Sequence, residues 1–142
     1  MNLNTDFINK LRSSGLRPTK QRLKICEVLF NTEKTFHFTI NDLSKIIGEK
    51  LSEKISLATV YNTIHAFKKK GYLKEISINS DKSYFDTNIS AHHHFYDEDT
   101  NELIDCNEND IDSINVKNNI TGKKINSVEV LIKVASDNQN QN

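Results

Sequence analysis

The chain has 142 residues, 36% of them hydrophobic and 27% charged, which fits one soluble domain or two small ones and excludes a large multidomain enzyme. Its 19 Lys/Arg and 19 Asp/Glu cancel, but unevenly: residues 1–80 carry 14 basic and 7 acidic side chains, residues 81–142 carry 5 and 12. A basic module suited to phosphates followed by an acidic, His-containing module that attracts cations is one reading; two solvated surfaces of opposite sign is the other.

No apolar run approaches the roughly 20 residues needed to cross a bilayer, and the opening MNLNTDFINK lacks a signal peptide's basic-then-apolar order. No membrane association and a cytoplasmic location are therefore expected. Cys26 and Cys106 are far apart and form no CxxC pair, so each is read as a small buried apolar residue and neither as part of a disulfide framework.

In chain order, Phe7, Ile8 and Leu11 predict a short first helix stopped by Gly15. Leu23, Ile25, Cys26, Leu29 and Phe30 trace an apolar stripe that predicts a second helix over about 19–31. Thr39 with Asp42 three residues on resembles a capping box, and Leu43, Ile46 and Ile47 supply the apolar face of a third helix. Ser56 caps a fourth, in which Leu57, Val60, Ile64 and Phe67 form the stripe and Lys68, Lys69, Lys70 and Gly71 occupy the C-terminus.

The period then changes from 3.6 to 2. LKEISI (73–78), the polar NSDK and SYFD (83–86) predict a hairpin, and helices followed by a two-stranded wing predict a winged helix-turn-helix over 1–87. A second module, 88–134, begins with His92, His93 and His94 and continues through an acidic turn, the strand ELIDC, a weak helix through Ile111 and Ile114, and the strand VEVLIKV (128–134). Residues 135–142 are expected to be disordered. The fold class is thus α+β, a winged helix-turn-helix followed by a small α/β dimerisation domain; a β-rich edge in so short a module is expected to pair with a second copy.

The stripe of helix four leaves Ala58, Thr59, Tyr61, Asn62 and His65 on the outer face. Such a helix enters a major groove, where Thr59 and Tyr61 offer methyl, hydroxyl and ring contacts, Asn62 reads an adenine edge, and the N-terminus at Ser56 favours a phosphate. With Arg12, Arg17, Lys20, Arg22, Lys24 and Lys68 to Lys70 clustered around it, the expected partner is double-stranded DNA. A two-fold protein needs a near-palindromic operator.

The triple histidine is the second constellation. On an extended strand His92 and His94 face one way and His93 the other, and Asp86 on the preceding strand offers a hard oxygen ligand. Imidazole suits Fe, Mn or Zn and serves as an axial haem ligand.

GLRPTKQRLKICEVL, HFTINDL, SLATVYNTIHAFKKKGYL, KSYFD and HHH, in this order and spacing, resemble the ferric uptake regulator (Fur) family over residues 10 to about 134. SLATVYNTIHAF, KSYFDTN and HHHFYDEDTNELID are most similar to its iron response regulator (Irr) branch, many of whose members are dimeric, haem-responsive transcription regulators. The resemblance implies metal ligands at His37, Asp86 and His94, with Tyr96 standing where the second histidine of an HxH pair is expected. It places His93 and Asp112 at a second regulatory site in which Phe95 and Val128 replace ligands. No structural zinc held by four cysteines is expected, because DEDTNE replaces the first CxxC pair, and no N-terminal Cys-Pro haem motif is present, the sole proline following Arg17. Haem, or Fe(II) or Mn(II), is the expected effector, with zinc possible at the histidines. The rival readings are a small His-cluster metalloenzyme, against which no HExxH and no placed general base stand, and a haem or metal carrier, which leaves helix four unexplained.

Overall fold

The computed structural model describes residues 3–51 and 54–138. The chain divides into two compact units, Met1–Ile89 and Ser90–Asn142.

The first unit contains helices α1 (Leu3–Ser13), α2 (Lys20–Phe30), α3 (Ile40–Leu51) and α4 (Leu57–Lys70), with strands β1 (His37–Phe38), β2 (Lys74–Asn79) and β3 (Lys82–Asp86). Local chemistry sets the helix limits. Thr39 and Asp42 cap one another at the start of α3, Asp42 N donating to Thr39 Oγ1 at 3.1 Å and Thr39 N to the Asp42 carboxylate at 3.4 Å. Ser56 Oγ accepts from Thr59 N at 3.2 Å at the head of α4. At the other end, Gly71 N donates to Lys68 O and Tyr72 N to Phe67 O, the paired bonds of a Schellman motif, with Gly71 at φ 93°.

The core of this unit is one cluster that includes Leu11, Ile25, Cys26, Leu29, Leu43, Ile47, Val60, Ile64, Phe67 and Phe85. Each fully buried aliphatic or aromatic side chain in it contributes about 1.5–3 kcal/mol. Cys26 belongs to it, and burial pushes its thiol up to about 12, so it behaves as the apolar residue the sequence suggests. Leu57 does not: it is 51% exposed, while Thr63, its Oγ1 donating to Thr59 O, is fully buried on the inner face of α4. The stripe of α4 is therefore 60, 63, 64 and 67, not 57, 60, 64 and 67.

The wing is a three-stranded antiparallel sheet in the order β1-β3-β2. The two-residue β1, too short to show periodicity, pairs His37 with Asp86 and Phe38 with Phe85.

The second unit is a sheet in the order β5-β4-β6, with β4 (His94–Asp97) antiparallel to β5 (Glu102–Asp105) and parallel to β6 (Leu131–Val134). Asn101, at φ 60°, lets the β4–β5 connection close. Residues 106–130 contain neither helix nor strand, so the helix expected through Ile111 and Ile114 is not formed. Two apolar residues are too few to hold it, and side chains compete for the backbone there: Asp110 accepts from Asn107 N at 2.8 Å, and Asn119 from its neighbour Ile120 N. The strand expected over 128–134 is confined to its last four residues. Of the segment 135–142 expected to be disordered, 139–142 lie outside the described residues, and Ser136 is held by its N–H and hydroxyl to the Asp99 carboxylate.

Replacing Gly71 by Ala tests the α4 terminus in isolation, since a Cβ there would meet nothing within 4 Å. The cost is that of the left-handed backbone alone, about 1 kcal/mol. Urea unfolding should show a lower midpoint with an unchanged slope; no shift would mean that the helix closes without the Schellman bonds.

Candidate metal centre and DNA-binding helix

The β4–β5 hairpin determines what surrounds the histidines. Its register pairs Asp97 with Glu102 and Tyr96 with Leu103, and therefore His94 with Asp105. The Asp105 carboxylate lies with Oδ1 3.1 Å from Nε2 of His94 and 3.6 Å from Nε2 of His92. The imidazole rings are 4.3 Å apart, and the donor atoms of the three residues fall within 4.8 Å of one another. His94 is buried and Asp105 half exposed, so the group is reachable from solvent on one side.

The orientation of His92 is fixed by a bond to the backbone. Its Nδ1 lies 2.7 Å from Ser90 O. A carbonyl only accepts, so Nδ1 carries the proton and Nε2 the lone pair, the outer-shell device that aims a histidine at a metal. Bonds of about 2.0–2.2 Å place neighbouring ligands about 3.0–3.6 Å apart; the separations of Asp105 Oδ1 from the two imidazole nitrogens match this. Two imidazoles and a carboxylate suit Fe(II), Mn(II) or Zn(II).

The neighbouring residues do other work. His93 turns to the opposite side of the strand, where Nδ1 accepts from Val130 N at 2.9 Å. Its remaining nitrogen then carries the proton in the neutral ring, leaving no lone pair for a metal, and the residue instead fastens the start of β6, aided by His94 N donating to Val130 O. Tyr96 is buried and its hydroxyl donates to Asn101 Oδ1 at 3.0 Å, bracing the hairpin turn. Asp112 is exposed in the irregular segment. The HxH pair brought together is thus His92 and His94, one step before the His94 and Tyr96 of the sequence reading. Sequence reasoning misses Asp105, although counting back from the DEDT turn along the hairpin reaches it.

In the first unit, His37 and Asp86 are direct cross-strand partners. Asp86 is buried on the central strand, with Lys74 opposite it on the other side, and Oδ1 accepts from Asn88 N at 2.8 Å. Burial holds the Lys74 ammonium below its ordinary value against the opposing pull of Asp86.

Helix α4 presents Ser56, Ala58, Tyr61 and Asn62 to solvent, with Thr59 half-buried. Tyr61 is 52% exposed. Arg17 and Lys20 are exposed around the start of α2, and the Arg22 guanidinium donates to Arg17 O at 3.0 Å. Lys68 reaches back to the wing, 3.2 Å from Glu75. Glu75 also accepts from Ser83 Oγ at 2.7 Å, and these contacts hold its carboxyl below the usual range.

A winged-helix unit followed in sequence by a unit bearing convergent metal donors defines a metal-responsive DNA-binding regulator. The chain belongs to the ferric uptake regulator family, matched over residues 13–134. Its relatives include the peroxide operon regulator of Bacillus subtilis (strain 168), 31% identical over 121 residues covering 84% of this chain and 81% of that protein. The ferric uptake regulation protein of Yersinia pestis is 34% identical over 111 residues, covering 78% and 74%. Among solved structures, the Vibrio cholerae ferric uptake regulator superposes with TM-score 0.61 at 26% identity, over 89% of this chain and 98% of that one. The manganese-containing ferric uptake regulator of Pseudomonas aeruginosa shares the fold at TM-score 0.64 and 21% identity, over 92% and 97%. Proteins of this family are transcription regulators, not enzymes. No helix among the described residues is long and apolar enough to cross a membrane.

Mn(II) titration of three variants tests the donor assignment. Asp105→Asn should weaken binding by about tenfold or more. His93→Ala should leave the affinity within about threefold while lowering stability by about 1 kcal/mol, because the Val130 N–H loses its acceptor, and Tyr96→Phe should also retain affinity. Equal losses in Asp105→Asn and His93→Ala would reverse the assignment.

Proposed function

We propose that the chain is a DNA-binding transcriptional regulator whose operator affinity is gated by a divalent ion held by His92, His94 and Asp105. The observation that carries this is one carboxylate oxygen set against the Nε2 atoms of both imidazoles. His37 and Asp86 enter the proposal as donors of the first unit, supported by the family resemblance and their cross-strand pairing. Fe(II) or Mn(II) is the proposed effector, and Zn(II) competes for the same donors.

DNA reading is assigned to the outer face of α4, with Ala58, Thr59, Tyr61 and Asn62 toward the bases and Ser56, Arg17, Lys20 and Lys68 toward phosphates. Lys68 reaches a phosphate only by leaving or sharing Glu75. The partner is double-stranded DNA with a near-palindromic operator, bound by a homodimer in the cytoplasm. Dimerisation through the second unit is supported by apolar residues left uncovered on its outer strands, Ile104 on β5 and Val134 on β6.

Asp105 also favours a second reading, a response to peroxide. Two histidines and one carboxylate leave coordination positions open, the arrangement of ferrous centres that react with oxygen species, and the Bacillus subtilis relative is named as a peroxide operon regulator. The haem-responsive, Irr-like alternative rests on the similarity of SLATVYNTIHAF, KSYFDTN and HHHFYDEDTNELID. It is weakened by the carboxylate facing Nε2 of both His92 and His94, where a haem iron would bind.

Operator shift assays with Mn(II), Fe(II) or haem separate these readings. Mn(II) should tighten specific binding in wild type and not in His92→Ala or Asp105→Asn. Hydrogen peroxide should abolish binding of the Fe(II) form and spare the Mn(II) form if the peroxide reading holds. Tyr61→Ala should cost about 1–3 kcal/mol on the operator and little on random DNA. A haem response that survives Asp105→Asn, without any Mn(II) effect, would overturn the divalent-ion gate.

A further inference from the structure

His65 belongs to neither the metal centre nor the core. His65 stands on α4 one turn after Tyr61, and the two rings lie 4.1 Å apart between centroids, inclined at 47°. It also meets the wing: the His65 ring lies edge-on to Phe85, with centroids 5.5 Å apart and planes at 86°. Phe85 is buried in the core, stacked on Phe38 at 6.2 Å and paired in register with Phe38 on one side and Glu75 on the other. The wing grips α4 a second time through Lys68 and Glu75.

We propose that His65 is a positioning residue that braces the Tyr61 ring against the wing and thereby sets how α4 reads its base sequence. This rests on the reading of α4 as the DNA-contacting helix and adds to it. A half-exposed tyrosine on a bare helix surface samples several rotamers, and each must be given up when the ring enters a groove. A planar ring one turn away, itself wedged on a buried phenylalanine, removes much of that freedom before DNA arrives. The aromatic contact adds attraction while Tyr61 as a whole stays 52% exposed. Because Phe85 immediately precedes Asp86 on β3, a strand carrying a proposed metal donor also supports the reading side chain.

The experiment uses the Mn(II)-loaded full chain and duplexes selected by it from a random library, compared with unselected duplex. His65→Ala should lower affinity for the selected duplex by about three- to tenfold and leave unselected duplex within about twofold. His65→Phe, which retains a planar ring, should restore most of the loss. In a Tyr61→Ala background the His65→Ala change should add nothing, since its effect is transmitted through that ring. Equal loss on both duplexes, additive losses in the double variant, or no rescue by His65→Phe would overturn the proposal, and urea midpoints of the variants identify any that fail to fold. If wild type selects no consensus, the DNA-reading assignment falls and this inference with it; if wild type selects one and His65→Ala binds it unchanged, only the inference falls.

Discussion

Sliding β5 by one residue along β4 would carry Asp105 to the other face of the sheet and leave His92 and His94 facing an apolar side chain. The hairpin register is therefore the constraint on which the metal chemistry depends. It is held at the turn by Asn101, which adopts the positive φ and accepts the Tyr96 hydroxyl, and at the open end by Cys106 N donating to His93 O. His93 takes part from the far side, its imidazole fastening Val130. Three consecutive histidines thus differ in their partners: His92 and His94 set their Nε2 atoms against the Asp105 carboxylate, and His93 accepts from the backbone of Val130.

Neighbours differ in their partners in the first unit as well. The wing strand β3 is flanked by β1 and β2, so Asp86 sits between His37 and Lys74 while Phe85 supports His65. Helix α4 is anchored by Val60, Thr63, Ile64 and Phe67 on one side and by Lys68 to Glu75 at its end. What remains outward on α4 is a strip that includes Leu57, Ala58, Tyr61 and Asn62.

Much of this is legible from residue spacing. Ser56 and Gly71 bound α4 because capping chemistry is local, and the Thr39/Asp42 pair announces α3 for the same reason. Leu57 misleads, since its place on the stripe depends on where the helix axis meets the core, which periodicity alone does not specify. The stretch through Ile111 and Ile114 fails as a helix because Asn and Asp side chains satisfy the nearby backbone more readily than those two isoleucines stabilise a face. At the histidines the ligand chemistry is visible, but the pairing is not. Matching His94 and Tyr96 to an HxH pair follows a family pattern, whereas the structure brings His92, just ahead of β4, beside His94. Asp105 comes to face His94 only through a cross-strand register, a non-local fact that emerges once the hairpin is aligned from its turn.

The β4–β5 register sets one Asp105 carboxylate oxygen against Nε2 of His94 and of His92. The most direct test of the cation site proposed there is the anomalous difference density of crystals of the Mn(II)-loaded chain, collected near the manganese edge. The account predicts a peak about 2.0–2.3 Å from Nε2 of His92, Nε2 of His94 and a carboxylate oxygen of Asp105, with Nδ1 of His92 still donating to Ser90 O and Nδ1 of His93 still accepting from Val130 N. A peak on His93 or Asp112, or no peak beside an intact His94 to Asp105 contact in the presence of excess Mn(II), would contradict it.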